Sequence, residues 1–124
     1  MSGSIDQLST DIGVKSLDAM WKRSNVIANN IANSDTPGYK EQTVSFEDQL
    51  SGALADNNIS ESELANINPQ VVTQSGSSSS DGSGVDMEQQ MVELMRNQLQ
   101  YSYLERGVSD SLGLLQTAAS DGKK

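Results

Sequence analysis

The stretch Val85–Ala119, VDMEQQMVELMRNQLQYSYLERGVSDSLGLLQTAA, decides the fold of this chain. Asp86 suits a helix N-cap, and Gln89 follows three residues later, as in a capping box. A set of residues then recurs at alternating steps of four and three, which is the spacing of a coiled-coil seam: Met87, Met91, Leu94, Gln98, Tyr101, Glu105, Val108, Leu112, Leu115 and Ala119. A helix of this length spans roughly 50 Å. It cannot bury such a stripe alone, so the sequence predicts a helical partner.

Two positions of this seam are polar where a coiled coil prefers apolar side chains. Gln98 and Glu105 either meet another subunit that accepts a polar contact, or the seam is rotated so that Leu104 replaces Glu105. Gly107 and Gly113 weaken an isolated helix but let another backbone approach closely. These features favour a helix that is stable only within an assembly.

The first 35 residues predict a second long amphipathic helix. Its apolar residues follow helical spacing in two runs: Ile5, Leu8 and Ile12, then Leu17, Met20, Trp21, Ile27, Ala28 and Ile31. Gly13 lies between the runs and costs about 1 kcal/mol relative to Ala, which predicts a loose or bent helix at that point. Because the two terminal helices are similar in length, we expect them to pair as an αα coiled coil, with Ile27 and Ile31 in its seam.

The run Thr36-Pro37-Gly38-Tyr39 predicts the end of the first helix. Pro disfavours helical conformation at the residue before it, and Pro followed by Gly suits a type II turn, whose second central residue has positive φ. The last helical turn is rich in asparagine, whose side chain bonds free backbone groups: Asn29, Asn30 and Asn33. Helix termination alone accounts for this pattern. The alternative adds a recognition role for the turn.

Short elements are predicted in the middle of the chain. Thr43 and Val44 have extended character, and Ser45 is placed to cap a short helix with one apolar face, formed by Phe46, Leu50 and Leu54. Ser60 with Glu63 predicts another helix start. The run 71–73, VVT, has strand propensity, and residues 75–84, SGSSSSDGSG, have the composition of a flexible linker.

Charge sets the middle of the chain apart from its ends. From Glu41 to Gln90 there are nine acidic residues and no Lys or Arg. Such a segment either forms a solvated loop or meets a basic neighbour.

Together, these patterns predict a fold class that is mainly α, with long N- and C-terminal helices paired as an αα coiled coil around a short, irregular or partly extended acidic middle. The expected boundaries are 1–35, 36–84 and 85–120, with a tail at 121–124.

Composition excludes several functions. The formal net charge of −9 argues against binding nucleic acid or anionic membranes. The absence of His and Cys removes the commonest general base and all thiol chemistry. We find no catalytic constellation, phosphate loop or calcium loop, and we expect no enzyme, cofactor, metal site or small-molecule substrate. No run of about 18 apolar residues predicts a transmembrane helix, and the N-terminus lacks the pattern of a cleaved signal peptide.

The segment Ser24–Lys40, SNVIANNIANSDTPGYK, resembles the N-terminal signature of bacterial flagellar axial proteins of the rod and hook class. Val85-Asp86-Met87-Glu88 and the following Leu94, Asn97 and Tyr101 resemble the terminal helix of the same class. Within that class the short chain is most similar to a proximal-rod member. The alternatives are its closest rod relative and, in a different class, a free secreted coiled-coil adaptor or effector. The middle section is short even for this family.

The resemblance implies a structural subunit that polymerises through its terminal helices into the torque-transmitting shaft of the flagellar basal body. The implied partners are copies of itself, other rod proteins, the membrane-ring adaptor and the type III export apparatus, which would export it without a cleavable signal. It also implies that the turn contacts neighbouring subunits, through Asn29, Asn30, Asn33, Asp35, Thr36, Pro37, Gly38, Tyr39 and Lys40. The implied location is the periplasm-spanning rod.

Overall fold

The computed structural model describes the backbone of residues 2–55, 59–75 and 84–121, and the side chains within these ranges apart from residues 2–6, 115 and 118–121. Six elements follow one another along the chain: α1 (Ser2–Ala32), β1 (Gln42–Ser45), α2 (Glu47–Leu54), α3 (Glu61–Ala65), β2 (Gln70–Thr73) and α4 (Met87–Asp121). The predicted fold class, with two long terminal helices and a short, partly extended middle, is confirmed. The linker residues 76–83 and the side chain of Leu115 lie outside the described residues.

α1 and α4 pack side by side in antiparallel orientation. Residues early in α1 lie beside residues late in α4, as Gly13 does beside Val108. At the other end of the pair, Asn30 bonds Gln90 near the start of α4. α4 begins directly after Asp86, whose Oδ1 accepts a hydrogen bond from the backbone N–H of Gln89 at 3.3 Å, so the predicted N-cap is confirmed.

Gly13 has a different role from the one predicted. α1 continues as one helix through this residue. Gly13 is buried, and a Cβ added there would lie 2.5 Å from Cγ2 of Val108. The missing side chain lets α4 approach α1 closely, and this packing offsets the low helix propensity of glycine.

In the middle of the chain β1 and β2 pair as a two-stranded antiparallel sheet, with α2 and α3 between them in the sequence. Thr43 pairs with Val72 and Val44 with Val71, which confirms both predicted extended segments. Val44 is buried, whereas all four residues of β2 are exposed. The sheet therefore packs through β1, and β2 forms its outer edge.

α2 and α3 close a small core on one flank of α1. Four buried apolar side chains form this core: Ala19 of α1, Phe46 just before α2, Leu64 of α3 and Ile67 just after α3. The predicted capping box at the start of α3 is confirmed, because Ser60 and Glu63 bond each other's backbone N–H. The predicted cap of α2 is wrong: Ser45 is the last residue of β1, and Phe46 takes the N-cap position because its ring is needed in the core.

Candidate assembly site

Asn30 is the centre of a buried hydrogen-bond network at the end of α1. Its side chain is fully buried. Nδ2 donates to the Gln42 carbonyl at 2.7 Å and to Gln90 Oε1 at 2.8 Å. Oδ1 accepts from the Gln42 N–H at 3.0 Å and from Tyr39 Oη at 3.3 Å. Both donors and both acceptor positions of the amide are used, so one side chain joins α1 to the turn, to β1 and to α4.

The edge of β1 that faces α1 is satisfied by side chains instead of another strand. Asn30 bonds both backbone groups of Gln42, as a neighbouring strand would. Two residues further on, Arg23 Nη2 donates to the Val44 carbonyl at 2.8 Å. The same guanidinium contacts both carboxylate oxygens of Glu47 at 2.6 and 2.7 Å. Its hydrogen bond holds the pKa of Glu47 below the usual value of 4.5.

Glu41 extends the network toward the solvent. Gln90 Nε2 donates a hydrogen bond to Glu41 Oε1, while Gln90 Oε1 accepts from Asn30. Partial burial raises the pKa of Glu41 above 4.5, and the nearby carboxylates of Asp86 and Glu93 raise it further. At neutral pH the ionised carboxylate of Glu41 therefore lowers the stability of this end of the helix pair. The hydrogen bonds of the Asn30 and Gln90 amides act in the opposite direction.

The acidic middle segment meets a basic neighbour, and that neighbour is α1. Arg23 pairs with Glu47. Lys15 Nζ donates to the Ala65 carbonyl at 3.2 Å, and Lys22 Nζ approaches the Pro69 carbonyl at 3.5 Å. Most acidic side chains of the segment that the structure describes, such as Asp48, Glu61 and Glu63, are exposed, so the structure shows features of both possibilities that the charge pattern left open. The cations of one helix face hold the middle segment against that face.

The turn after α1 has the geometry that Pro37-Gly38 predicts. The Tyr39 N–H donates to the Thr36 carbonyl at 3.2 Å, and Gly38 has φ of +79°. Asn33 ends the helix: its Nδ2 donates to the Asn29 carbonyl at 2.9 Å, and its Oδ1 accepts from Thr36 Oγ1 at 3.1 Å. Helix termination is therefore a role that these asparagines have in the structure.

The motif residues divide into two groups. Asn30 and Tyr39 turn inward and contact each other, and Asn33 is half-buried. The remaining motif residues are exposed: Asn29, Asp35, Thr36, Pro37, Gly38 and Lys40. A Cβ added at Gly38 would meet no described atom within 4 Å. The tip of the turn is thus fixed from within while its outer surface is open.

The side of α4 that packs on α1 is offset from the predicted seam. Its buried and half-buried residues follow steps of four and three: Gln90, Leu94, Asn97, Tyr101, Leu104, Val108 and Ser111. The predicted seam residues Leu94, Tyr101 and Val108 belong to it, and Ile27 and Ile31 contribute from α1. Met87, Met91, Gln98 and Leu112 are exposed, so they lie outside the contact between α4 and α1. Leu104 faces α1 in place of Glu105, as the rotated seam predicted.

Asn97 joins this side of α4 to α1 by hydrogen bonds. It is buried, and its Nδ2 donates to the Met20 carbonyl at 2.7 Å and to Ser24 Oγ at 2.8 Å. Gln90, one end of the Asn30 network, lies seven residues earlier in the same column. Hydrogen bonds to defined groups on α1 therefore link the two helices, in addition to apolar packing.

Comparison with known proteins follows the same elements. Residues 12–40, which include most of α1 and the turn, match the family described as flagella basal body rod protein. The chain is 34% identical over 109 residues to the flagellar basal body rod protein FlgB of Bacillus subtilis, which covers 82% of this chain and 84% of that protein. The chain belongs to the FlgB family of flagellar basal-body rod proteins. FlgB of Borrelia hermsii is 31% identical over 115 residues (79% of this chain, 85% of that protein), and FlgB of Aeromonas hydrophila is 32% identical over 111 residues (81% and 84%).

In this FlgB-family chain, apolar side chains remain exposed on one flank of the helix pair. Successive helix residues are rotated by about 100°, so residues seven apart lie on the same side. Val14 and Trp21 share one side of α1, and Met87, Met91 and Leu112 share one side of α4. We call these five exposed residues the outer flank. A cleft of about 260 Å³ beside the middle segment is lined by residues such as Arg23, Glu41 and Glu93. Val14 borders α3, where it lines a second, shallow pocket with Leu64 and Ala65.

A second exposed apolar surface runs along α4, and two of its residues, Leu99 and Tyr103, border a shallow pocket with Met20 of α1. Val92, Met95, Leu99 and Tyr103 recur there at steps of three and four, with 54, 64, 72 and 86% of their surface exposed. We call these four residues the back face. Apolar side chains at such regular spacing and with this exposure indicate a surface that another protein covers.

The described residues contain no group of three or more metal-ligating acidic side chains. No described helix has a stretch that is both long and apolar enough to cross a bilayer.

Proposed function

We propose that this chain is a structural subunit of the flagellar basal-body rod and that it assembles with copies of itself and with other rod proteins through its two terminal helices. The observation that carries the proposal is the apolar outer flank and back face, which remain exposed although α1 and α4 are fully paired. The family assignment supports the location in the basal body and the structural role.

Burial of these surfaces supplies the free energy of assembly. Fully burying one large apolar side chain contributes about 1.5–3 kcal/mol. Trp21 is 63% exposed and Met91 is 53% exposed, so most of their contribution is still available to a neighbouring subunit. Because the two surfaces differ and lie on different sides of α4, contacts between subunits would be heterologous and would build an open helical array.

The exposed tip of the turn is proposed to contact a neighbouring subunit. Residues 35–38 and Lys40 expose side chains and backbone on a support that Asn30 and Tyr39 hold from within. The ring of Pro37 limits the number of conformations that the free chain must lose on binding. A fixed tip of this kind suits a specific contact between subunits.

The helix pair also suits a load-bearing shaft. Close-packed helices resist deformation because many small contacts share the load. In this proposal residues 1–35 and 85–120 are the axial helices, residues 36–84 form a laterally placed middle segment, and residues 121–124 are a tail. The cations of α1 hold the described parts of that segment against the shaft.

The further partners are the membrane-ring adaptor at the rod base and the flagellar type III export apparatus. We propose a subunit without catalytic activity, cofactor or small-molecule substrate. The net charge of −9 disfavours a nucleic-acid partner. The rod that spans the periplasm is the proposed location.

The experiment compares basal bodies from a strain that lacks the gene with those from complemented strains. Electron microscopy should show no complete rods in the deletion strain. Met91→Asp, which places a charge on the outer flank, should fail to restore them. Ser51→Asp, the same new charge on exposed α2, should restore them. Complete rods in the deletion strain would exclude the proposed function.

A further inference from the structure

Two neighbouring columns of α4 compete for the contact with α1. The inner column faces α1 in the structure and consists of Gln90, Asn97, Leu104 and Ser111. The outer column consists of the residue that follows each of these, namely Met91, Gln98, Glu105 and Leu112, all exposed. Both columns use the shared positions Leu94, Tyr101 and Val108, so either could complete the heptad pattern.

Apolar content does not select the inner column. Only Leu104 is apolar among its four residues, whereas the outer column offers Met91 and Leu112. The carboxylate of Glu105 counts against the outer column, although a long glutamate stem can lie along a seam with its head in water. The difference between the columns therefore comes from the polar side chains and from what they meet on α1.

Asn97 meets two specific acceptors on α1. Its side chain is 2% exposed, and both protons of Nδ2 are directed at α1 atoms, the Met20 carbonyl and Ser24 Oγ. Its Oδ1 is buried and accepts no hydrogen bond from the described residues. An unpaired buried acceptor lowers stability, so the residue is not optimised for stability alone. A buried asparagine at one seam position is a known means of specifying how two helices pair.

We propose that Asn97 is the specificity-determining residue that turns the inner column of α4 toward α1 and thereby keeps the outer flank free for a neighbouring subunit. Rotating α4 until Gln98 took the place of Asn97 would break both bonds to α1. It would also bury Met91 within the subunit and remove it from the assembly surface. The benefit of an exposed outer flank rests on the proposed function, but the orientation of α4 is a property of the single chain and is tested without rods.

The chain has no cysteine, so one engineered cysteine is a unique thiol. Glu105→Cys reports on the outer column and Ser111→Cys on the inner column, which is half-buried there. The readout is the ratio of the two thiol-labelling rates, measured on full-length chain in trimethylamine N-oxide, which favours the compact state. In the parent chain the thiol at position 105 should react severalfold faster than the thiol at position 111. Equal rates in the parent would overturn the proposal.

Three variants separate orientation from stability. Asn97→Ala removes the bonds to Met20 and Ser24 and should bring the ratio to one or below while helical circular dichroism is retained. Gln98→Ala, the matched change on the exposed neighbour, should keep the parent ratio. Asn97→Leu should also keep it, because an apolar residue at position 97 favours burial of the same column.

The outcomes are distinguishable. An unchanged ratio in Asn97→Ala would overturn the proposal. So would labelling of both thiols at the rate found in denaturant, because that result would give Asn97 a merely structural role. Reversal of the ratio in Asn97→Leu would overturn it as well. None of these results depends on whether rods form, so failure of the proposed function would leave a separate signature in the basal bodies.

Discussion

Asn30 and Gln90, which are 60 residues apart in the chain, form a buried hydrogen bond of 2.8 Å between Nδ2 and Oε1. This bond links the last turn of α1 to the first turn of α4. The same asparagine bonds both backbone groups of Gln42, so the interior of the motif organises the subunit while its exposed tip is open.

Asn30→Ala should therefore destabilise the helix pair strongly. It leaves Gln90 Oε1 and both backbone groups of Gln42 without the hydrogen bonds that Asn30 makes to them, which costs about 3 kcal/mol of stability. The helical circular dichroism signal and its thermal midpoint measure the effect. Asn29→Ala is the matched control, since Asn29 is exposed and alanine favours the helix. Equal decreases of the thermal midpoint in the two variants would show that the buried network of Asn30 contributes no more to stability than the exposed Asn29 does.

Gly13→Ala should destabilise the protein although alanine is the better helix former. The new Cβ would lie 2.5 Å from Val108 Cγ2, and such overpacking costs about 1–3 kcal/mol. Val108→Ala in the same chain should recover part of that loss by removing the clash. Gly107→Ala is the control, because an added Cβ meets no described atom within 4 Å, and it should stabilise α4 by about 1 kcal/mol. The thermal midpoint of unfolding measures each effect. A higher midpoint in Gly13→Ala would refute the close approach of the two helices.

Gly38→Ala tests the turn. The positive φ of +79° is unfavourable for alanine by about 1–2 kcal/mol, although there is space for the methyl group. We expect lower stability and, in complemented strains, fewer complete rods. Gly52→Ala, in exposed α2 with the same open surroundings, should be neutral or stabilising. Equal tolerance of the two substitutions would argue against the importance of the turn conformation.

Glu41 makes stability depend on pH. Burial and neighbouring carboxylates raise its folded-state pKa above 4.5, so the folded state holds the proton more tightly than the unfolded chain does. Its contribution favours folding below pH 4.5 and is lost as the pH rises through the folded pKa. Glu41→Gln keeps an oxygen for Gln90 and should lessen the loss of stability between that pH and neutrality.

Glu47 provides the opposite case for the same measurement. Arg23 lowers its pKa, so its contribution is present above pH 4.5 and is lost as the pH falls through the lowered value. The measurement is the urea midpoint of unfolding at a series of pH values. Glu47→Gln should change the midpoints below pH 4.5, and Glu41→Gln should change those between pH 4.5 and neutrality. Identical profiles for Glu41→Gln and the parent chain would contradict the burial of this carboxylate against α4.

The sequence predicts the elements of this fold better than their contacts. The heptad spacing of α4, the Pro37-Gly38 turn and the capping box at Ser60 depend on neighbours within one element, and all three are found in the structure. The side of α4 that faces α1 makes bonds from Asn97 to the Met20 carbonyl and Ser24, more than 70 residues away in the chain, and no local pattern reveals such partners. Periodicity cannot distinguish two adjacent columns that share three apolar positions.

Two residues illustrate the same limit in the motif. Asn30 and Asn29 are adjacent and identical in the sequence, but one is fully buried and the other exposed. Only the return of β1 along α1 distinguishes them. Ser45 fits the local pattern of a helix cap, yet pairing with Gln70 places it in β1.

If neighbouring subunits cover the outer flank, Trp21 becomes buried when the chain assembles. It is the single tryptophan of the chain and is 63% exposed in the isolated subunit. Its fluorescence and its quenching by acrylamide can therefore be followed before and after assembly into rods without a label. Assembly should shift the emission to shorter wavelength and protect Trp21 from the quencher. Assembled rods in which Trp21 emits and is quenched as in the free chain would contradict coverage of the outer flank by neighbouring subunits.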